Sequence, residues 1–143
     1  MVNFYSAFID ENYRQAFIAG RPERQRDHDV LAAAYYARSE PIPFHAANRI
    51  DQEFAARIPR PPLSSLIDHF DHIIRFAGID HVGIGTDFDG ISSLPKGIDS
   101  AADLPRITAA LMARGHSAAD LHKLLGGNLM RVFAAAQSAA TQL

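Results

Sequence analysis

The feature that most limits what this chain can fold into lies at His81-Val82-Gly83-Ile84-Gly85-Thr86-Asp87-Phe88, where the apolar period changes from helical to alternating. An alternating run bounded by glycine and polar residues is the pattern of a β-strand. Side chains on a strand point to opposite faces in turn, so Asp87 shares a side with Gly85 and Gly83 while Val82 and Ile84 take the other. One face is nearly bare and the other apolar. A second strand candidate opens the chain at Met1-Val2-Asn3-Phe4-Tyr5. The segments between and after read as helix or loop, a β-α-β-α order that favours a parallel sheet covered by helices. Two strands cannot complete such a sheet, because a parallel pair needs both faces covered and its edges protected. The α/β pattern therefore predicts either an oligomer that supplies further strands or one part of a larger barrel.

Residues 6–26 place Phe8, Ile9, Tyr13, Phe17 and Ile18 at roughly helical spacing before Gly20-Arg21-Pro22, and are expected to form loop with short helical turns. Helices are predicted over residues 24–38 and 46–56, the first ended by Glu40-Pro41-Ile42-Pro43 because residues before proline avoid the α region. After the stiff Ile58-Pro59-Arg60-Pro61-Pro62 connector, Ser64 or Ser65 offers an N-cap for a helix reaching Ala77, with Gly78 at its end. Leu66, Ile67, Phe70, Ile73 and Ile74 form its apolar stripe. Later helices are predicted over residues 103–114, stopped by Gly115, after a Ser117–Asp120 capping box, and over residues 129–137.

Composition narrows the function classes. With 48% apolar residues and 14 basic against 16 acidic side chains, the sequence has the makeup of a globular domain. No basic stripe for phosphates is present, so nucleic acid is not expected as a partner. The absence of cysteine excludes disulfides and thiolate metal sites. Neither a signal peptide nor an apolar run of the ~18 residues a membrane helix needs is visible, so the expected location is the cytoplasm with no membrane span.

The sharpest chemical feature is Gly85-Thr86-Asp87-Phe88-Asp89-Gly90 at the end of the predicted strand. Sites in barrels and open parallel sheets are built at strand C-terminal ends, which makes Asp87 a candidate catalytic or binding carboxylate. Equally, Asp87 and Asp89 could cap a turn before Gly90. Seven histidines raise the question of a metal. His69 and His72 share a helix face, but a catalytic zinc site needs three protein ligands, and the apolar stripe explains that helix without one. His28, His45, His116 and His122 have no partners at ligand spacing, and a small metal site using Asp87, Asp89 and His81 is a rival reading.

Four segments in order carry a family resemblance: Met1-Val2-Asn3-Phe4-Tyr5; Asp68-His69-Phe70-Asp71-His72-Ile73; Ala77 through Gly90; and Gly127-Asn128-Leu129-Met130-Arg131-Val132-Phe133. Together they resemble the C-terminal signature series of the membrane (renal) dipeptidase family of zinc metallopeptidases. The resemblance implies a TIM-type eight-stranded βα barrel with a two-zinc site, bridged by a carboxylate and a hydroxide, that hydrolyses dipeptides. It implies that residues 1–143 form a single partial barrel from strand seven to the C-terminal helices, residues 1–5 being the seventh strand and residues 82–87 the eighth. Asp87 matches the family's eighth-strand aspartate, which handles a proton and the substrate's amino group. The family's zinc ligands and its substrate-binding arginine belong to earlier strands, and no residue here matches them. The metal list is therefore empty, and zinc is not expected to be bound by this chain alone. The expectation is a C-terminal portion of a dipeptidase, inactive by itself. The alternative is a non-enzymatic complementation module that docks onto an N-terminal partner chain or forms a homo-oligomer.

Overall fold

The structure is a computed structural model and describes residues 1–140. Among these, α-helices run in chain order as α1 Ser6–Ile9, α2 Glu11–Ala19, α3 Arg21–Tyr36, α4 Phe44–Ala55, α5 Leu63–Ala77, α6 Leu104–Ala113, α7 Ala118–His122 and α8 Asn128–Ala140. Tight 3-10 turns at Ile79–His81 and Ala101–Asp103 and a wider π-type turn at Lys123–Gly127 join them.

Local chemistry accounts for most boundaries. The Asp10 carboxylate accepts the Tyr13 N–H at 2.7 Å, so α2 is a regular capped helix where only short turns were expected. Pro22 lies in the first turn of α3, where its missing N–H leaves no bond unmade. Gly20-Arg21-Pro22 therefore divides two helices. Helix α5 starts directly after Pro62, which places Ser64 and Ser65 inside its first turn and leaves neither as the cap. Gly78 ends α5 with φ 85, a conformation that disfavours side chains. Ser117 and Asp120 form the expected capping box, with Ser117 Oγ accepting the Asp120 N–H at 3.1 Å and Asp120 Oδ2 accepting the Ser117 N–H at 3.0 Å.

The two predicted strands are corrected. Residues 1–5 and 81–88 form no extended strand; what remains is one isolated parallel bridge between Val2 and Ile84. Val2 donates to the Gly83 carbonyl at 2.7 Å and Gly85 donates to the Val2 carbonyl at 3.0 Å. The pairing direction matches the parallel expectation, but a ladder gains its stability from neighbours on both sides, and these described residues offer none. The barrel is accordingly not visible as such in the described residues, which are mostly helical. Alternation also stops earlier than predicted, because Asp87 turns out of the strand path with φ 59.

The core sits where this bridge meets α5. Val2, Phe4 and Val82 pack with Leu66, Ile67 and Phe70 of α5, Ile107 and Leu111 of α6, and Leu121 and Leu124. Phe4 lies edge-on to Phe70, with ring centroids 6.2 Å apart, and edge-on to Phe88 at 6.3 Å. Asn128 at the start of α8 donates to both the Ile79 and Val82 carbonyls, at 2.7 and 2.8 Å, and so ties the last helix to the segment leading to Asp87.

Candidate functional site

Asp87 stands just beyond the Val2–Ile84 bridge. Its positive φ is rare for a residue with a side chain, and aspartate is among the few that tolerate it. The Gly90 N–H donates to the Asp87 carbonyl at 3.1 Å, closing a turn. The turn-forming role considered for Asp87 is thus met by its own backbone carbonyl. Asn3 Nδ2 donates to Asp87 Oδ2 at 2.9 Å, while Asn3 Oδ1 accepts the Tyr5 N–H at 2.8 Å. A Cβ on Gly90 would come within 2.3 Å of Asp87 Oδ1. Glycine at that position is what allows the carboxylate to lie where it does.

The carboxylate faces a pocket of about 310 Å³ lined by Tyr5, Phe17, Asn48, Asp51, Asp87 and Ser92 among others. Burial is the main cause that pushes the Tyr5 hydroxyl pKa above its ordinary value; a hydrogen bond with Ser92 and the nearby Arg24 oppose this, and Asp51 adds to it. Helices α2 and α4 contribute Phe17, Asn48 and Asp51 to its lining. They are locked together by Arg24 of α3, which is 8% exposed. Its guanidinium pairs with Asp51 at 2.9 Å, donates to the Phe17 carbonyl at 2.6 Å and stacks 3.7 Å from the Phe17 ring centre. A separate cavity of about 320 Å³, lined by Met1, His81, Val82, Leu124 and Leu129, shares no lining residue with the Asp87 pocket.

The structure separates the other sequence candidates from Asp87. His81 lies in the 3-10 turn against that second cavity, so the Asp87–Asp89–His81 metal reading fails. His69 is half-buried on α5, and burial, with the neighbouring His72 second, holds its pKa below the ordinary imidazole value. His116, without a partner at ligand spacing in the sequence, has its Nε2 2.7 Å from Asp71 Oδ1. Among the described residues no group of three or more His, Cys, Asp or Glu side chains could hold a metal ion. The donors around Asp87 do not fit a zinc ion either, since Asn3 presents an N–H to one carboxylate oxygen.

Asn3, Asn48, Asp51 and Arg24 escaped the sequence reading. Asn3 was seen as part of a strand motif, with no signal for its contact 84 positions away. Asp51 and Arg24 lie outside the four motif segments, and ion pairing between two helices leaves no short-range pattern.

Comparison with known proteins agrees with the motif series. The chain is 37% identical over 81 residues to "Dipeptidase aclJ" of Aspergillus oryzae (strain ATCC 42149 / RIB 40), covering 57% of this chain and 19% of that protein. It is 36% identical over 70 residues to "Dipeptidase tcpJ" of Claviceps purpurea (strain 20.1), covering 49% and 16%. The chain thus spans less than a fifth of the length of these curated relatives. The crystal structure of the "probable dipeptidase PvdM" from Pseudomonas aeruginosa superposes with a TM-score of 0.52 at 34% identity, over 62% of this chain and 22% of that one. The model of the membrane dipeptidase family, peptidase family M19, matches residues 1–143, and the chain belongs to that family.

Proposed function

We propose that this chain forms the Asp87 side of a dipeptidase active site, where Asp87 binds the amino end of a dipeptide and carries a proton to the departing amine. The observation that supports this most directly is the Asn3–Asp87 hydrogen bond, which holds an exposed carboxylate in a left-handed backbone conformation at the mouth of a pocket. Residues kept in sparsely populated backbone regions by their surroundings concentrate at functional sites. A carboxylate in that place attracts an ammonium group and is suited to proton transfer. Tyr5 and Phe17 supply aromatic rings to the lining of that pocket.

In the same reading, residues 1–143 are the last two strands and outer helices of a (β/α)8 barrel. Support comes from the parallel Val2–Ile84 pairing and from the position of Asp87 just past it. Family members are metallopeptidases; the zinc ligands would come from other parts of the barrel, whether in the same polypeptide or a partner chain.

The test is an assay of dipeptide hydrolysis with added zinc. The purified chain alone should show no turnover. Co-expression with a polypeptide carrying the remaining strands should restore it, and Asp87→Asn in that assembly should lower kcat by roughly 100-fold or more, the scale of a lost proton-transfer group. Full activity of the Asp87→Asn assembly would refute the role given to Asp87.

A further inference from the structure

The pocket that holds Asp87 contains a second carboxylate, Asp51, which the dipeptidase reading leaves without a task. Asp51 and Asn48, three positions apart on α4, both line the pocket. Asp51 is anchored from one side: Arg24 Nε lies 2.9 Å from Oδ1 and His28 Nε2 3.6 Å from Oδ2. Arg24 is enclosed between the Phe17 and Phe54 rings, at 3.7 and 4.7 Å, so it holds its anion in one place. Asn48 is half-buried, and its side chain has no hydrogen-bond partner among the described residues. The pocket therefore presents a fixed carboxylate and an unsatisfied carboxamide beside aromatic walls.

We infer that Asn48 and Asp51 are specificity-determining residues, receiving the side chain of the dipeptide whose amino end meets Asp87 and favouring a side chain that donates hydrogen bonds over an aliphatic one. The inference rests on the dipeptidase reading. An aliphatic side chain would desolvate both polar groups and give them nothing in return, whereas a carboxamide or ammonium end satisfies them. That asymmetry is what makes a polar pocket selective. At about 310 Å³ the space is at the small end for ligand pockets, in keeping with a two-residue substrate.

The test is titration of the isotope-labelled chain with Gln-Ala, Lys-Ala and Leu-Ala, followed by amide chemical shifts. Signals of residues 48, 51, 87 and 92 should move saturably, with Kd for Gln-Ala or Lys-Ala about tenfold or more below that for Leu-Ala. Asn48→Leu, which removes no side-chain hydrogen bond within the protein, should bring the three Kd values to within about twofold of one another. Asp51→Asn, which keeps an acceptor for Arg24, should narrow the gap for Lys-Ala more than for Gln-Ala. Equal Kd values in the unaltered chain, or a preference that survives both substitutions, would overturn the inference while leaving the dipeptide reading standing. No saturable shift at residues 48 and 51 with any of the three would likewise overturn the inference, whereas the dipeptidase reading stands or falls with the hydrolysis assay of the completed barrel.

Discussion

Asp87 shows how a residue can be legible in a sequence while its setting is not. The Gly-Thr-Asp-Phe-Asp-Gly run marked it as a strand-end carboxylate, but its orientation depends on Asn3, whose amide reaches it at 2.9 Å from the other end of the chain. Loss of that donor should loosen the carboxylate. Asn3→Leu is expected to weaken Gln-Ala binding by roughly three- to tenfold, about the net value of one ordinary hydrogen bond at an exposed position, with thermal unfolding little changed. Gly90→Ala should act more strongly, since its methyl would meet Asp87 Oδ1 at 2.3 Å and force the carboxylate aside. The same titration checks both variants, and unaltered binding by Gly90→Ala would show that the carboxylate can move without cost. At Asn128, by contrast, the expected effect is on stability. Its amide satisfies the Ile79 and Val82 carbonyls, and Asn128→Ala should lower the unfolding free energy by about 1–3 kcal/mol in urea titration.

At the scale of elements, helices were legible because their signals are local: apolar spacing, caps and prolines operate within a few residues. Helix α5 and the Ser117 capping box followed from such signals. The link between α5 and the turn after α6 did not. There Arg114 bonds Asp68 and Asp71 at 2.6 and 2.8 Å, and His116 meets the other oxygen of Asp71. Several carboxylates carry a pH signature. The Ser117 hydroxyl and N–H hold the Asp120 pKa below its ordinary value, the Asp99 and Ser100 N–H groups do so for Asp103, and Lys123 does so for Asp80. A lowered carboxylate pKa in the folded state means stability that is fully present above the ordinary value of 3.8 and is lost as pH falls below that and through the lowered folded-state value. The thermal midpoint should therefore drop as pH is lowered from about 4 towards 2. His69, whose pKa is depressed by burial, adds a shallower decline that begins as pH falls below its ordinary 6.5. A midpoint unchanged from pH 7 to pH 3 by calorimetry would contradict both. Arg24→Met should also be felt at this scale. It removes the tie among α2, α3 and α4 and is expected to cost about 1–3 kcal/mol, discounted because Asp51 remains partly exposed.

For the molecule as a whole, the surface is the telling feature. Leu129, Met130, Val132 and Phe133 on α8 are each more than half exposed, at 57, 63, 55 and 55%, and Leu129 and Val132 border the cavity beside Met1. Contiguous apolar surface of this kind favours association. Sedimentation of the purified chain should show concentration-dependent self-association that Leu129→Glu reduces; a monodisperse monomer at high concentration would argue that the face is benign. What the sequence by itself determined is the family and most of the helices, because these are written in local spacing and in motifs of fixed order. Only the tertiary structure decided that two predicted strands reduce to one parallel bridge, that Asn3 orients Asp87, and that Arg24 sets Asp51 across the pocket. Each of these joins residues far apart in the chain, and a contact of that kind depends on how helices pack and which backbone groups find neighbours, which no short-range pattern encodes.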